Sequence, residues 1–169
     1  DNEAYMNTGV QKSGLTPYGT KTTTSPVGNN LPGAVTHKKN LFEIIAAHDI
    51  AYAATASVGY PQDYLNKLTK AARVEGTSYI HIYATCPTGW GTSTETSVSL
   101  AKEAVDCGLW YLAEYENSIF KINRKLKKPE LLKEHLLKQG RFKHLTDENI
   151  QVIESERDHK WARMLEKWG

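Results

Sequence analysis

Helix-like and strand-like segments alternate between residues 40 and 112, and that alternation restricts the fold more than any other feature of the chain. In "NLFEIIAAHDI", Leu41, Ile44 and Ile45 recur at helical spacing, and "AYAATAS" (51–57) reads as a short buried strand. "PQDYLNKLTKAARVEG" carries Pro61 where a first helical turn tolerates it and Gly76 at its end. Tyr64, Leu65, Leu68 and Ala72 share one apolar face of that predicted helix. "TSYIHIYAT" (77–85) is β-branched and aromatic, the best strand in the sequence. "TETSVSLAKEAVDCG" predicts a further helix, closed by Gly108. "LWYLAEYEN" and "SIFKIN" read as two strands joined by a turn at Asn117-Ser118. This order is the pattern of parallel βαβ units with helices on both faces of the sheet.

In open sheets of that kind ligands bind outside the carboxyl ends of the strands. The loop "CPTGWG", after strand 77–85, therefore belongs on the functional edge. If Asp1 marks a strand end, "DNEAYMNTG" lies on the same edge, and the two most unusual stretches converge from topology alone.

Residues 1–40 lack clear periodicity and are rich in Thr, Gly, Asn, Ser and Pro. An irregular stretch that long is often functional. After Arg124 the character changes. Pro129 opens a helix over "PELLKEHLLKQG" that Gly140 stops. Thr146 reads as the N-cap of a long last helix, with Ile150, Ile153, Trp161, Met164 and Leu165 as its apolar face. Residues 1–123 thus read as one unit and 124–169 as a helical extension that packs on it or on a partner subunit.

The 169 residues suffice for one domain with a real core. No apolar run reaches the roughly 20 residues that cross a bilayer, so no membrane association is expected. The net charge of +2 argues for no particular partner. Lys and Arg cluster in "INRKLKKPE" and "KQGRFKH", but interspersed Glu and Asp make a solvated helix face the better reading than a nucleic-acid site. Two cysteines, Cys86 and Cys107, are too few for a disulfide framework and fit a reducing, cytoplasmic setting.

Asp1, Asn2 and Glu3 offer hard oxygen donors of the type magnesium takes. The Thr8-Gly9 pair offers a hydroxyl and close backbone approach, which suits phosphate. Taken alone, the spacing is better read as a capped turn after a strand. Cys86 taken alone reads as a small buried hydrophobe, although its Gly- and Pro-rich loop also suits a thiolate on an iron–sulfur cluster. Cys107 reads as core, His48 and His81 as structural histidines, and Trp90 as a loop anchor. Gln11, Ser13, Thr16 and Tyr18 read as structural residues of the following loop.

"DNEAYMNTGVQKSGLTPYGTKTTTSPVG" closely resembles the β subunit of the pyruvate:ferredoxin oxidoreductases, within the 2-oxoacid:ferredoxin oxidoreductase family. The resemblance continues through "AAHDIAYAATASVGYPQDY", "YIHIYATCPTGWG", "GLWYLAEYE" and "QGRFKHL", from Asp1 to about Leu145. It implies an α/β fold, half of a doubly wound parallel-sheet domain that binds thiamine diphosphate through magnesium. Carried over by position, Asn2 gives magnesium a side-chain oxygen and Ala4 its backbone carbonyl, while the Glu3 side chain points elsewhere. Asn7 faces the thiazolium and the substrate, and Met6, Thr8 and Gly9 shape the cofactor wall. Cys86 corresponds to the fourth ligand of the 4Fe-4S cluster nearest the thiamine. The implied reaction is oxidative decarboxylation of a 2-oxoacid, pyruvate first, with coenzyme A, ferredoxin and the other subunits of the complex as partners. Other 2-oxoacids (2-oxoisovalerate, 2-oxoglutarate, oxalate) and a non-redox thiamine enzyme are the alternatives.

The chain departs from the family pattern in two places. It has no Gly-Asp-Gly to complete the magnesium site, and no Cys-x-x-Cys with a third cysteine to complete the cluster. The expectation is therefore the carboxyl-terminal half of a subunit roughly twice as long, a common domain size, that binds neither cofactor by itself.

Overall fold

The computed structural model describes residues 1–168. After an irregular start, a short hairpin pairs β1 (Val27–Gly28) with β2 (Leu31–Pro32). Helix α1 (Leu41–Ala46) is capped by the Asn40 side chain and leads to the central strand β3 (Tyr52–Ser57). Then follow α2 (Pro61–Ala71), β4 (Ser78–Tyr83), a single-turn α3 (Pro87–Trp90), α4 (Ser97–Asp106), and the hairpin of β5 (Ala113–Glu116) and β6 (Ile119–Ile122). Helices α5 (Leu132–Leu137) and α6 (Asp147–Trp168) complete the chain.

The sheet order is β4-β3-β5-β6. Every residue of β3 is buried, as expected for a strand covered on both faces. Ala53 joins a cluster with Phe42 of α1 and with Trp161, Met164 and Trp168 of α6. Tyr52 points the other way, under the Lys70 ammonium of α2.

The α/β architecture is as the sequence predicts, but the sheet is mixed rather than parallel throughout. Strand β3 is parallel to β4, with Tyr52 opposite Ser78 and Ser57 opposite Tyr83, and antiparallel to β5. The cause lies in α4. Its middle sits against the carboxyl end of β3, where Ser57 Oγ donates to the Ala101 carbonyl at 3.2 Å. Gly59 approaches the Ala101–Lys102 backbone so closely that a β-carbon would collide with it. Just after α4, the Trp110 indole donates to the Ala56 carbonyl at 3.0 Å. The chain thus re-enters the sheet at the end it left, and β5 runs back.

Two predicted apolar faces also need correction. In α2 the one fully buried residue is Lys67, while Leu65 and Leu68 are 54% and 38% exposed. The Lys67 ammonium is satisfied on the inside, by the Thr55 carbonyl at 2.8 Å and Asp63 at 2.7 Å. In α6, Ile150, Ile153, Trp161 and Met164 are buried as predicted, but Leu165 is exposed. Arg157 takes a buried place on that face by donating to the Pro129 carbonyl at 2.8 Å. The predicted Thr146 cap accepts from the Asn149 N–H. Boundaries shift modestly: α2 stops at Ala71 rather than running to Gly76, and the β5 ladder starts at Ala113 rather than at Leu109.

Candidate functional site

The two unusual stretches meet at the carboxyl end of β4. The Asp1 carbonyl accepts from the Ala84 N–H at 3.0 Å, one residue beyond that strand. From there the chain folds into a compact loop. Tyr5 N–H donates to the Gln11 carbonyl, Gln11 N–H to Met6, and Val10 N–H to Asn7. Thr23 Oγ1 fastens the far side by donating to the Gly9 carbonyl at 2.6 Å. The Glu3 N–H donates to Asp1 Oδ1 at 2.9 Å, an Asx-type turn, and Thr16 Oγ1 donates to the Glu3 carbonyl at 2.7 Å.

Facing this loop, "CPTGW" is a helical turn rather than the irregular loop the sequence predicts. Pro87 occupies its first position, the Trp90 N–H donates to the Cys86 carbonyl, and Gly91 closes it at φ +62°. Pro at the first position and a left-handed Gly after the last are the local reason for the turn. Trp90 is buried, and its indole N–H donates to the Asn2 carbonyl at 3.0 Å. Gly89 lies so close to Asn7 that a β-carbon would collide with Asn7 Oδ1.

Of the sequence-predicted site residues, Asn2 and Thr8 are exposed, Met6 is 50% exposed, and Ala4, Asn7 and Gly9 are half-buried. Both polar atoms of the Asn7 carboxamide are buried without a hydrogen-bond partner. Burying such a group unpaired costs about 1–3 kcal/mol, so a retained orphan needs an explanation, for which an absent ligand is one. Cys86 is a free, half-buried thiol packed against the cluster of Tyr83, Trp90 and Trp110. Cys107 is core as expected, and burial pushes its thiol up to about 11. His81 is buried with Nε2 at 3.0 Å from Asp1 Oδ2, whereas His48 is exposed after α1.

A charged cluster behind the loop carries no assignment in the sequence reading. Glu3 is 6% exposed and adopts φ +64°, a conformation few residues other than Gly take. Its carboxylate binds Lys38 at 2.8 Å and Arg141. Burial works to raise the Glu3 pKa, but Lys38 and Arg141 overcome it and hold the carboxyl at about 2. Lys38 also reaches Asp1 Oδ2 at 2.8 Å and lies 4.8 Å from the centre of the Trp110 ring. The Arg141 guanidinium stacks 3.8 Å from the centre of the Trp90 ring. The only sequence hint was that Arg141 sits in the block "QGRFKHL".

The donor set fits part of each implied group. Asn2 and Ala4 are two neutral oxygen donors flanking a residue whose charge is spent internally, suited to a cation already neutralised by phosphates. A lone half-buried thiol, Cys86, is at most one of the four thiolates a 4Fe-4S cluster takes. Among the described residues, no group of three or more His, Cys, Asp and Glu is assembled to hold a metal. Nor is any described helix long and apolar enough to cross a membrane.

The fold and this edge define an α/β segment whose two unusual loops converge at the carboxyl end of β4, with no complete metal-donor set among the described residues. No family model matches the chain. Curated proteins do. The chain is 47% identical over 170 residues to ketoisovalerate oxidoreductase subunit VorB of Pyrococcus abyssi, covering 99% of this chain and 52% of that protein. It is 46% identical over 154 residues to pyruvate synthase subunit PorB of Methanothermobacter marburgensis (91% and 54%), and 41% identical over 170 residues to PorB of Thermotoga maritima (98% and 52%). The chain belongs to the β-subunit family of the 2-oxoacid:ferredoxin oxidoreductases. It spans about half the length of the curated relatives it matches.

Proposed function

We propose that this chain supplies part of the thiamine-diphosphate site of a 2-oxoacid:ferredoxin oxidoreductase, which oxidatively decarboxylates a 2-oxoacid to acyl-CoA. In this reading residues 1–123 are half of the cofactor-binding domain and 124–169 its helical extension. The observation that carries it is Asn7: a buried carboxamide with two unpartnered atoms, packed on the turn that starts at Cys86.

When bound, thiamine diphosphate accepts the electron pair released by decarboxylation, and a 4Fe-4S cluster takes electrons onward. The residues of this chain hold and orient. Asn2 Oδ1 and the Ala4 carbonyl hold magnesium, Thr8 and Gly9 line the diphosphate, and Met6 contributes apolar wall. Asn7 donates a neutral hydrogen bond to a substrate oxygen, where a more acidic, charged donor would protonate the reactive carbon. Cys86 gives one thiolate to the cluster. The Gly-Asp-Gly and the remaining cysteines come from the part of the subunit outside this chain. Pyruvate is the first substrate reading. A branched 2-oxoacid is the second, because relatives named for ketoisovalerate and for pyruvate stand at 47% and 46% identity.

The test uses the full-length subunit, purified anaerobically in its complex. Thiamine and iron content and coenzyme A-dependent ferredoxin reduction are measured across a panel of 2-oxoacids, beside a Cys86→Ser variant. The reading expects bound thiamine diphosphate, activity with one or more 2-oxoacids, and loss of one cluster signal in Cys86→Ser. A complex without thiamine and iron overturns it.

A further inference from the structure

Arg141 touches both halves of the candidate site. It sits in the 3-10 turn Gly140–Phe142 and is 6% exposed. Its Nε donates to Gln139 Oε1 at 2.9 Å. Gln139 in turn donates to the His135 carbonyl at 3.1 Å, tying the group to α5. One edge of the guanidinium binds the Glu3 carboxylate. One face lies 3.8 Å from the centre of the Trp90 ring. Glu3 stands between Asn2 and Ala4, and Trp90 is the last residue of the turn that Cys86 begins. Trp90 closes the circuit by donating to the Asn2 carbonyl at 3.0 Å. The Arg141 carbonyl accepts from the Lys21 N–H at 3.0 Å, which holds the long irregular segment to the same point.

We propose that Arg141 is a positioning residue: its planar guanidinium, wedged between Glu3 and Trp90, fixes the Asn2–Asn7 loop relative to the Cys86 turn. What those two loops hold rests on the function proposed above. The spacing itself follows from the contacts. Glu3 is held in a left-handed conformation, so the peptide groups on either side of it depend on what anchors its side chain. Lys38 supplies charge to that carboxylate as well, so charge alone does not require an arginine. A flat group that stacks on an indole while donating edge-on to a carboxylate does, and lysine cannot reproduce it.

The test takes the full-length subunit in its complex as wild type, Arg141→Lys and Glu3→Gln, with Arg141→Lys chosen because it keeps the buried charge. The first readout is the rate of Cys86 alkylation by iodoacetamide, followed by mass spectrometry after removal of metals and thiamine. The second is the magnesium concentration that half-saturates thiamine diphosphate binding. Both variants are expected to raise the alkylation rate and to raise the magnesium requirement about 10- to 100-fold, the usual effect of losing a group that orients metal ligands. Unchanged Cys86 alkylation in Arg141→Lys overturns the proposal, and so does faster alkylation with an unchanged magnesium requirement. If the wild-type complex binds no thiamine diphosphate, the functional reading fails, and the alkylation rates alone decide the role of Arg141.

Discussion

Asn7 Oδ1 occupies the space that a β-carbon on Gly89 would take. A loop at the start of the chain and a turn beyond β4 are therefore packed to backbone contact, and only glycine permits it. Gly89→Ala is expected to displace the Asn7 side chain, because Cγ and Cβ of Asn7 also lie within 2.9 and 3.2 Å of the added carbon. Overpacking of this kind costs about 1–3 kcal/mol. Activity of the full complex should fall with it. The double variant Gly89→Ala/Asn7→Ala should recover the lost thermal stability without recovering activity. Strict additivity of the two stability changes would show that the residues do not share this space.

Asn7→Ala alone separates function from stability. The carboxamide it removes has no partner in the folded chain, so the cofactor-free protein should melt at an unchanged or slightly higher temperature, by less than about 1 kcal/mol. The turnover number should fall about 10²- to 10³-fold, the range seen when one preorganised donor is lost. A large drop in melting temperature with intact turnover would assign Asn7 to the fold instead.

The meeting of these two stretches was legible in the sequence. A strand followed by a Pro- and Gly-rich turn announces a functional edge, and Asp1 does lie beside the end of β4. The antiparallel return of β5 was not legible. Helix–strand alternation says nothing about which end of the sheet a helix crosses, and here Ser57 and Gly59 hold α4 across the carboxyl end of β3. The Glu3–Lys38–Arg141 cluster was hidden for another reason. Its members are far apart in sequence, and no local pattern pairs them until the fold brings them together. By residue type Glu3 reads as a hard oxygen donor and by resemblance as pointing away from the metal donors, and neither reading assigns it a partner.

A pH effect away from the site follows from the junction of α4 and α5. Glu103 lies 3.4 Å from His135 Nδ1 and 2.9 Å from Lys138 Nζ. The bond to His135 first, and Lys138 after it, lower its carboxyl from the usual 4.5 to about 2 against a smaller opposing effect of burial. The folded protein thus binds this proton more weakly than the unfolded chain. The pair's contribution is complete above about pH 4.5 and is lost as the pH falls towards 2. Because Glu103 is only half-buried and water still reaches it, the contribution is about 1 kcal/mol or less. Glu103→Gln should lower stability by that amount at pH 7 and flatten the acid limb of the denaturation curve between pH 4.5 and 2. An acid limb parallel to wild type would contradict the pairing.

Helix α2 sets the pattern of the sequence against the contacts of the structure. The spacing of Leu65, Leu68 and Ala72 names an apolar inner face, yet Leu65 is 54% exposed and Lys67 is 2% exposed. Lys67 donates to the Thr55 carbonyl and to Asp63, and Thr55 lies in the central strand, where its hydroxyl also bonds the Tyr111 carbonyl and the Ala113 N–H. Removing the ammonium therefore strips an acceptor in the middle of the sheet. Lys67→Ala should cost about 2–3 kcal/mol, the range for a charged hydrogen bond lost in a buried setting. Leu65→Ala should stay within about 0.5 kcal/mol, as at an ordinary surface position. Urea denaturation of the full-length subunit measures both. The reverse order, with Leu65 the costly position, would mean that the helix packs by its leucine stripe and that the register of α2 on β3 differs from that described.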